Sequence, residues 1–143
     1  ASAADLHGTS TINAELLASD GADALTLIFV RFRAGSATPV HDHLTWGVVR
    51  VIEGEDRYLA WDRTDDGADP DQATLRATKD VVLRPGDSAH WLGPPHDLHK
   101  QVPVGGDVTE LVMAGKNLLG DSVLHHRHNF DPETGRVTRP GAR

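Results

Sequence analysis

Short apolar or alternating stretches, closed by glycine, proline and aspartate, dominate the pattern along this chain. Leu25 to Phe32 is rich in β-branched and aromatic residues and predicts a strand. Ala34 to Pro39 is a turn-rich break, Val40 to His43 begins a second strand, and Trp46 to Ile52 continues as a mostly apolar run ended by Glu53 and Gly54. Asp56 to Trp61 predicts another strand, Ala73 to Leu83 one or two more, and Val108 to Met113 a further one. Between them lie an acidic, exposed loop from Asp62 to Gln72 and turns at Arg84 to Asp87 and Gly93 to Pro95. Ile12 to Leu17 is a fragment compatible with helix or strand, and residues 120–143 are polar, with a turn at Asp131 to Gly135. No stretch holds the ~3.6-residue period over a full helix. Short strands at intervals of about 8–12 residues predict an all-β sandwich or barrel.

Length and composition narrow the function classes. The 143 residues fit one domain, 1–143, with the barrel core between about residues 25 and 120 and polar extensions at both ends. No apolar run approaches the ~18 residues of a membrane span. No charged, apolar leader follows Ala1, so a cytoplasmic location is expected, although a first residue other than Met leaves room for an upstream segment. Cysteine is absent, which excludes disulfides, thiolate metal sites and a cysteine nucleophile. A net charge of -7 argues against nucleic acid and anionic membranes as partners and leaves a small-molecule substrate.

Nine histidines are the unusual quantity. Without cysteine, a metal site here must use imidazole and carboxylate. His41-Asp42-His43 is the sharpest feature, because residues two apart on a strand face the same side and bring two imidazoles together. The other reading is a pair of solvated histidines. Arg31, Arg33 and Arg50 are candidates to hold a substrate carboxylate, since a planar guanidinium binds it in two places; each also fits a solvated strand position. Trp46, three residues past His43, is the preferred pocket-lining tryptophan over Trp61 and Trp91. Glu53 and Glu110 are candidate acids or bases, and His90 a candidate proton shuttle near neutral pH. His125 to His128 reads as a mobile, solvated tail segment.

The stretch from Pro39 to Gly54, preceded by Gly35, then Pro85-Gly86-Asp87 and Asp97-Leu98-His99, resembles the two motifs of the double-stranded β-helix (cupin or jelly-roll) barrel. Within cupins the chain resembles the cysteine dioxygenase-like (thiol dioxygenase) group, with Gly115 to Asn117 and Phe130 to Gly135 adding to the likeness. The resemblance implies metal ligands His41, His43 and His99, with His90 and His96 as alternatives for the third. It implies Fe(II), with Zn, Ni or Mn as alternatives, and O2 as co-substrate added to a thiol or enolisable anion. His90, Arg31 and Trp46 then serve the chemistry. Three neutral imidazoles leave open positions on an octahedral ion, where substrate and O2 meet.

The departures are specific. Gly47 stands where cupins place a glutamate ligand. Val112 and Ala114 replace the histidine and tyrosine of the thiol dioxygenases, the only tyrosine is Tyr58 on another strand, and no arginine lies at Asn13 to Glu15 where the family's carboxylate-binding arginine falls. Two other functions fit the same residues: a non-redox metal-dependent isomerase or lyase, and a non-enzymatic small-molecule-binding barrel. Paired sheet edges would allow a homodimer, which nothing in the sequence itself requires.

Overall fold

The computed structural model describes residues 4–5, 12–20, 24–124 and 126–139. Two six-stranded antiparallel sheets make up the fold. The first has the order β1 (Ala4–Asp5), β2 (Ile12–Ser19), β3 (Thr26–Phe32), β10 (Val108–Ala114), β5 (Gly47–Glu53), β8 (Ser88–Trp91). The second has the order β12 (Val137–Thr138), β11 (Asn129–Phe130), β4 (Val40–His41), β9 (Leu98–Pro103), β6 (Asp56–Arg63), β7 (Leu75–Leu83). The one helix among the described residues, α1 (Asp121–Leu124), is a single turn, and none is long and apolar enough to cross a membrane.

Strand pleating assigns the residues to two faces. On β3, Ile28, Val30 and Phe32 are buried while Arg31 between them is exposed. On β5, Val49 and Val51 point inward and Arg50 outward. These positions join Val108, Val112, Ala89 and Trp91, with Tyr58 and Leu83 of the second sheet, in the main core between the sheets. A smaller cluster of Val40, Ala73, Leu98, Phe130 and Val137 lies on the other face of the second sheet. It explains why consecutive residues such as Leu98 and His99 are both buried: Leu98 packs into the smaller cluster while His99 turns into the barrel.

The all-β barrel is the expected architecture. Three local differences matter. Ile12–Ser19 is a full strand that pairs with β3, so the first sheet extends to the N-terminal side of residue 25. The C-terminal segment is not a solvated tail: β11 pairs with β4 through Asn129 and His41, and Arg127 is buried. Leu98–Pro103 is a strand, where the sequence pattern marks none.

Gly54, at the β5–β6 turn, has φ +84°, and a Cβ there would collide with the backbone oxygen of Asp107. Only glycine satisfies both the left-handed conformation and the close approach of that neighbouring loop.

Candidate metal centre

His41 and His99 are direct neighbours across the β4–β9 pairing. His43 follows just past the end of β4, before a left-handed residue, Leu44, with φ +62°. A branched side chain in that conformation is held by surrounding contacts, not by its own preference. Asp97 supplies them: its Oδ2 accepts hydrogen bonds from the backbone N–H of His43 at 3.0 Å and of Leu44 at 2.7 Å. The three rings converge, with centroids 4.7, 4.8 and 4.2 Å apart for the pairs 41–43, 41–99 and 43–99. One ligand nitrogen from each lies within 4.8 Å of the others.

The hydrogen bonds select the tautomers. His41 Nδ1 lies 2.9 Å from the Pro39 carbonyl and His43 Nδ1 2.7 Å from the Asp97 carbonyl. A carbonyl only accepts, so both Nδ1 atoms carry the proton and each neutral ring has its lone pair on Nε2. His99 Nδ1 lies 3.1 Å from the Tyr58 hydroxyl, an oxygen able to accept from Nδ1–H in the same tautomer. Burial holds His43 down to about 4, and the nearby charge of Arg127 adds to that shift, so the ring is neutral at neutral pH. Three imidazoles oriented through Nδ1 on one wall form a donor set that fits a first-row divalent ion.

Trp91 packs against the histidine cluster. It pairs with Gly47 across β5 and β8, and a Cβ on Gly47 would collide with the indole ring. The ring packs on His43 at 4.4 Å and edge-on to His99 at 4.9 Å, while its Nε1 donates to the Thr45 carbonyl at 3.0 Å.

These groups line a cavity of about 40 Å³, room for a few waters or a substrate of a few heavy atoms. Ile28, Val30, Phe32, Leu118 and Val123 make its apolar wall; Arg127, Gln101 and Glu110 add polar groups. Arg127 is held where the C-terminal segment closes on the HxH turn: Asp42 accepts from the backbone N–H and the Nδ1–H of His128, both at 2.7 Å, and donates its own N–H to the His128 carbonyl at 3.2 Å.

The other predicted site residues lie elsewhere. His90, between buried Ala89 and Trp91, faces outward from β8 and is exposed. His96 is exposed and bonded to Asp62 at 2.9 Å. Arg31 faces outward on β3 and borders a surface recess with Asn13, Glu15 and Arg33; Arg50 is exposed on β5. Trp46 is 44% exposed and covers Gly115, not the cavity. Glu53 is exposed, and Trp61 packs against the smaller cluster. His125 lies outside the described residues. Trp91, ranked behind Trp46 on the sequence, is the tryptophan that lines the cavity, and Tyr58, Asp97 and Arg127 are the contacts to which the sequence pattern gives no role.

No protein-family description matches the sequence, and no curated protein matches it. Solved structures match the fold. An RmlC-like cupin from Shewanella frigidimarina superposes with a TM-score of 0.58 at 22% identity, over 81% of this chain and 84% of that one. The DMSP lyase DddQ from Ruegeria pomeroyi gives 0.57 at 20% identity, over 78% of this chain and 50% of that one. An oxalate oxidase gives 0.56 at 19% identity, over 80% and 56%. The chain therefore has the cupin fold.

Tyr58 offers a direct check on the centre. Replacing it with phenylalanine keeps the ring but removes the acceptor for His99 Nδ1–H. Loss of such an orienting partner typically weakens metal binding ~10–100-fold. Chelator competition on Tyr58→Phe should show that drop with the fold retained; unchanged affinity would make Tyr58 a packing residue only.

Proposed function

We propose that this chain is a metal-dependent enzyme that takes a small anionic substrate at His41, His43 and His99, and that it is an Fe(II) dioxygenase acting with O2 on a thiol or an enolisable acid. The observation that carries this is the set of three buried imidazoles, each oriented through Nδ1, facing a cavity that Arg127 also lines. The bound ion supplies Lewis acidity and, as iron, electron exchange with O2. The chain's own residues do the rest. Arg127, which lines the cavity, is the cation that meets a substrate carboxylate, a role the sequence pattern places on Arg31. The apolar wall keeps water from the reacting group. A centre of three imidazoles carries no ligand charge and so favours an anionic substrate.

One observation favours a second reading, a non-redox lyase or isomerase: two buried carboxyl groups, Asp56 and Glu110, sit inside the same barrel. Proton transfer suffices for such reactions. The fold neighbours include proteins named for each chemistry, an oxalate oxidase and a DMSP lyase.

Oxygen uptake by the iron-loaded protein, screened against thiols and enolisable acids, separates the two. Uptake that needs both iron and substrate supports the dioxygenase. Equal turnover without O2 selects the second reading. A protein that holds no metal even after reconstitution would overturn both and leave a binding module.

Arg127→Met is expected to weaken binding of mercaptoacetate to the zinc-loaded protein about 10–100-fold, the size of a lost charge-assisted hydrogen bond, while metal content stays at the wild-type level. Calorimetry reads the first and elemental analysis the second. Unchanged affinity would remove Arg127 from the substrate site.

A further inference from the structure

The interior of the barrel holds a second polar group that the three histidines do not explain. Asp56 on β6 and Glu110 on β10 both have no exposed surface. Gln101 on β9 bridges them, its Nε2 donating to Asp56 Oδ2 and to Glu110 Oε1, each at 2.7 Å. The two remaining oxygens, Asp56 Oδ1 and Glu110 Oε2, are buried and have no hydrogen-bond partner among the described residues. Both carboxyl groups thus meet at one amide nitrogen, that of Gln101. Two charged carboxylates side by side in the dry interior are costly, and a proton retained by one of them removes a buried charge and turns one orphan oxygen into a donor. Glu110 also borders the cavity that the three histidines face.

Resting on the reading of that cavity as a substrate site, we propose that Asp56 and Glu110 hold one proton between them at neutral pH and form the acid–base group of the cavity. Glu110 is the member that meets the substrate. When a thiol or hydroxyl substrate binds as its anion, the S–H or O–H bond breaks, the electron pair stays on the sulfur or oxygen, and the proton passes to the carboxylate of the pair. No oxidant or reductant enters this step, so it serves the redox and the non-redox reading alike.

The surroundings are consistent with a single retained proton. On β3 and β5, Val30 and Val51 stand in register beside Glu110 and contribute no charge. From β6, Tyr58 stays protonated, raised by burial and by the two carboxyl groups. From β9 come Gln101 and His99, and the same cavity holds His41, His43, Asp42 and Arg127. Burial pushes Asp56 up to about 6 and holds Glu110 well above its ordinary value, where the charge of Asp56 adds to the effect.

Infrared spectroscopy of the metal-free protein near neutral pH tests the shared proton apart from any metal. One buried, protonated carboxyl per chain is expected, seen as a C=O band that shifts in heavy water and is lost in both Glu110→Gln and Asp56→Asn. No such band, or two, in the wild type would overturn the proposal without reference to the variants' folding. The zinc-loaded protein titrated with mercaptoacetate then tests proton acceptance. The band is expected to grow from one carboxyl to two as the thiol binds; binding with an unchanged band would overturn the acid–base role. Failure to bind zinc would count against the metal reading alone, because the metal-free band still decides whether the proton is held.

Discussion

His99→Ala is expected to abolish stoichiometric metal binding. The argument starts from the convergence of three rings on one point, with one ligand nitrogen from each within 4.8 Å of the others. Removing an orienting partner alone typically costs ~10–100-fold in affinity, so removing a ligand should cost more than about 100-fold. His99 also receives the edge contacts of His41, His43, Trp91 and Tyr58, so its loss opens the middle of the cluster. Two measurements check this. Elemental analysis should find about one ion per wild-type chain after reconstitution and none in the variant. Thermal unfolding should shift upward with added metal only in the wild type, because a ligand that binds the folded state stabilises it by about 2.7 kcal/mol at a hundredfold excess over Kd. His90→Ala is the control: His90 faces outward and is exposed, so metal content should not change. A wild-type metal content retained in His99→Ala would mean that the ion sits on a different set of histidines.

Pleat parity explains both what was legible in the sequence and what was not. Leu25 to Phe32 and Trp46 to Ile52 read as strands because their inward positions are apolar, and they fold as Thr26–Phe32 and Gly47–Glu53. Leu98–Pro103 escaped the same reading because its inward face carries His99 and Gln101, and its apolar Leu98 points to a second, smaller cluster. The approach of His41 and His43 was legible from their spacing. That of His99 depends on a β4–β9 pairing that no local pattern encodes. Arg31 and His90 were misplaced although the parity was available: Val30 and Phe32 flank one, Ala89 and Trp91 the other, and apolar neighbours on both sides put the residue between them outside. Tyr58 and Arg127 meet the histidines through contacts between segments far apart in the chain, Tyr58 with His99 across 41 positions. Only the folded arrangement brings them together.

Gly47→Glu is expected to destabilise the protein by roughly 3 kcal/mol or more instead of completing a four-ligand site. Any Cβ at position 47 meets the six-membered ring of Trp91 on the neighbouring strand. The ring has no room to retreat, since it packs on His43 and its Nε1 is bonded to the Thr45 carbonyl. Glutamate must therefore either distort β5 or expel the indole, and burial of a large aromatic side chain is worth ~3–5 kcal/mol when lost. For a chain of this size the melting temperature should fall by about 10 °C. Tryptophan fluorescence should move toward the red as the ring enters water. The pair Gly47→Glu with Trp91→Ala makes the opposite case, because the indole no longer occupies the space the carboxylate needs. If the double variant recovers stability relative to Gly47→Glu and binds divalent metal more tightly than the wild type, then Trp91 and a carboxylate ligand are alternative occupants of one position. If Gly47→Glu alone is as stable as the wild type, the indole does not fill that position.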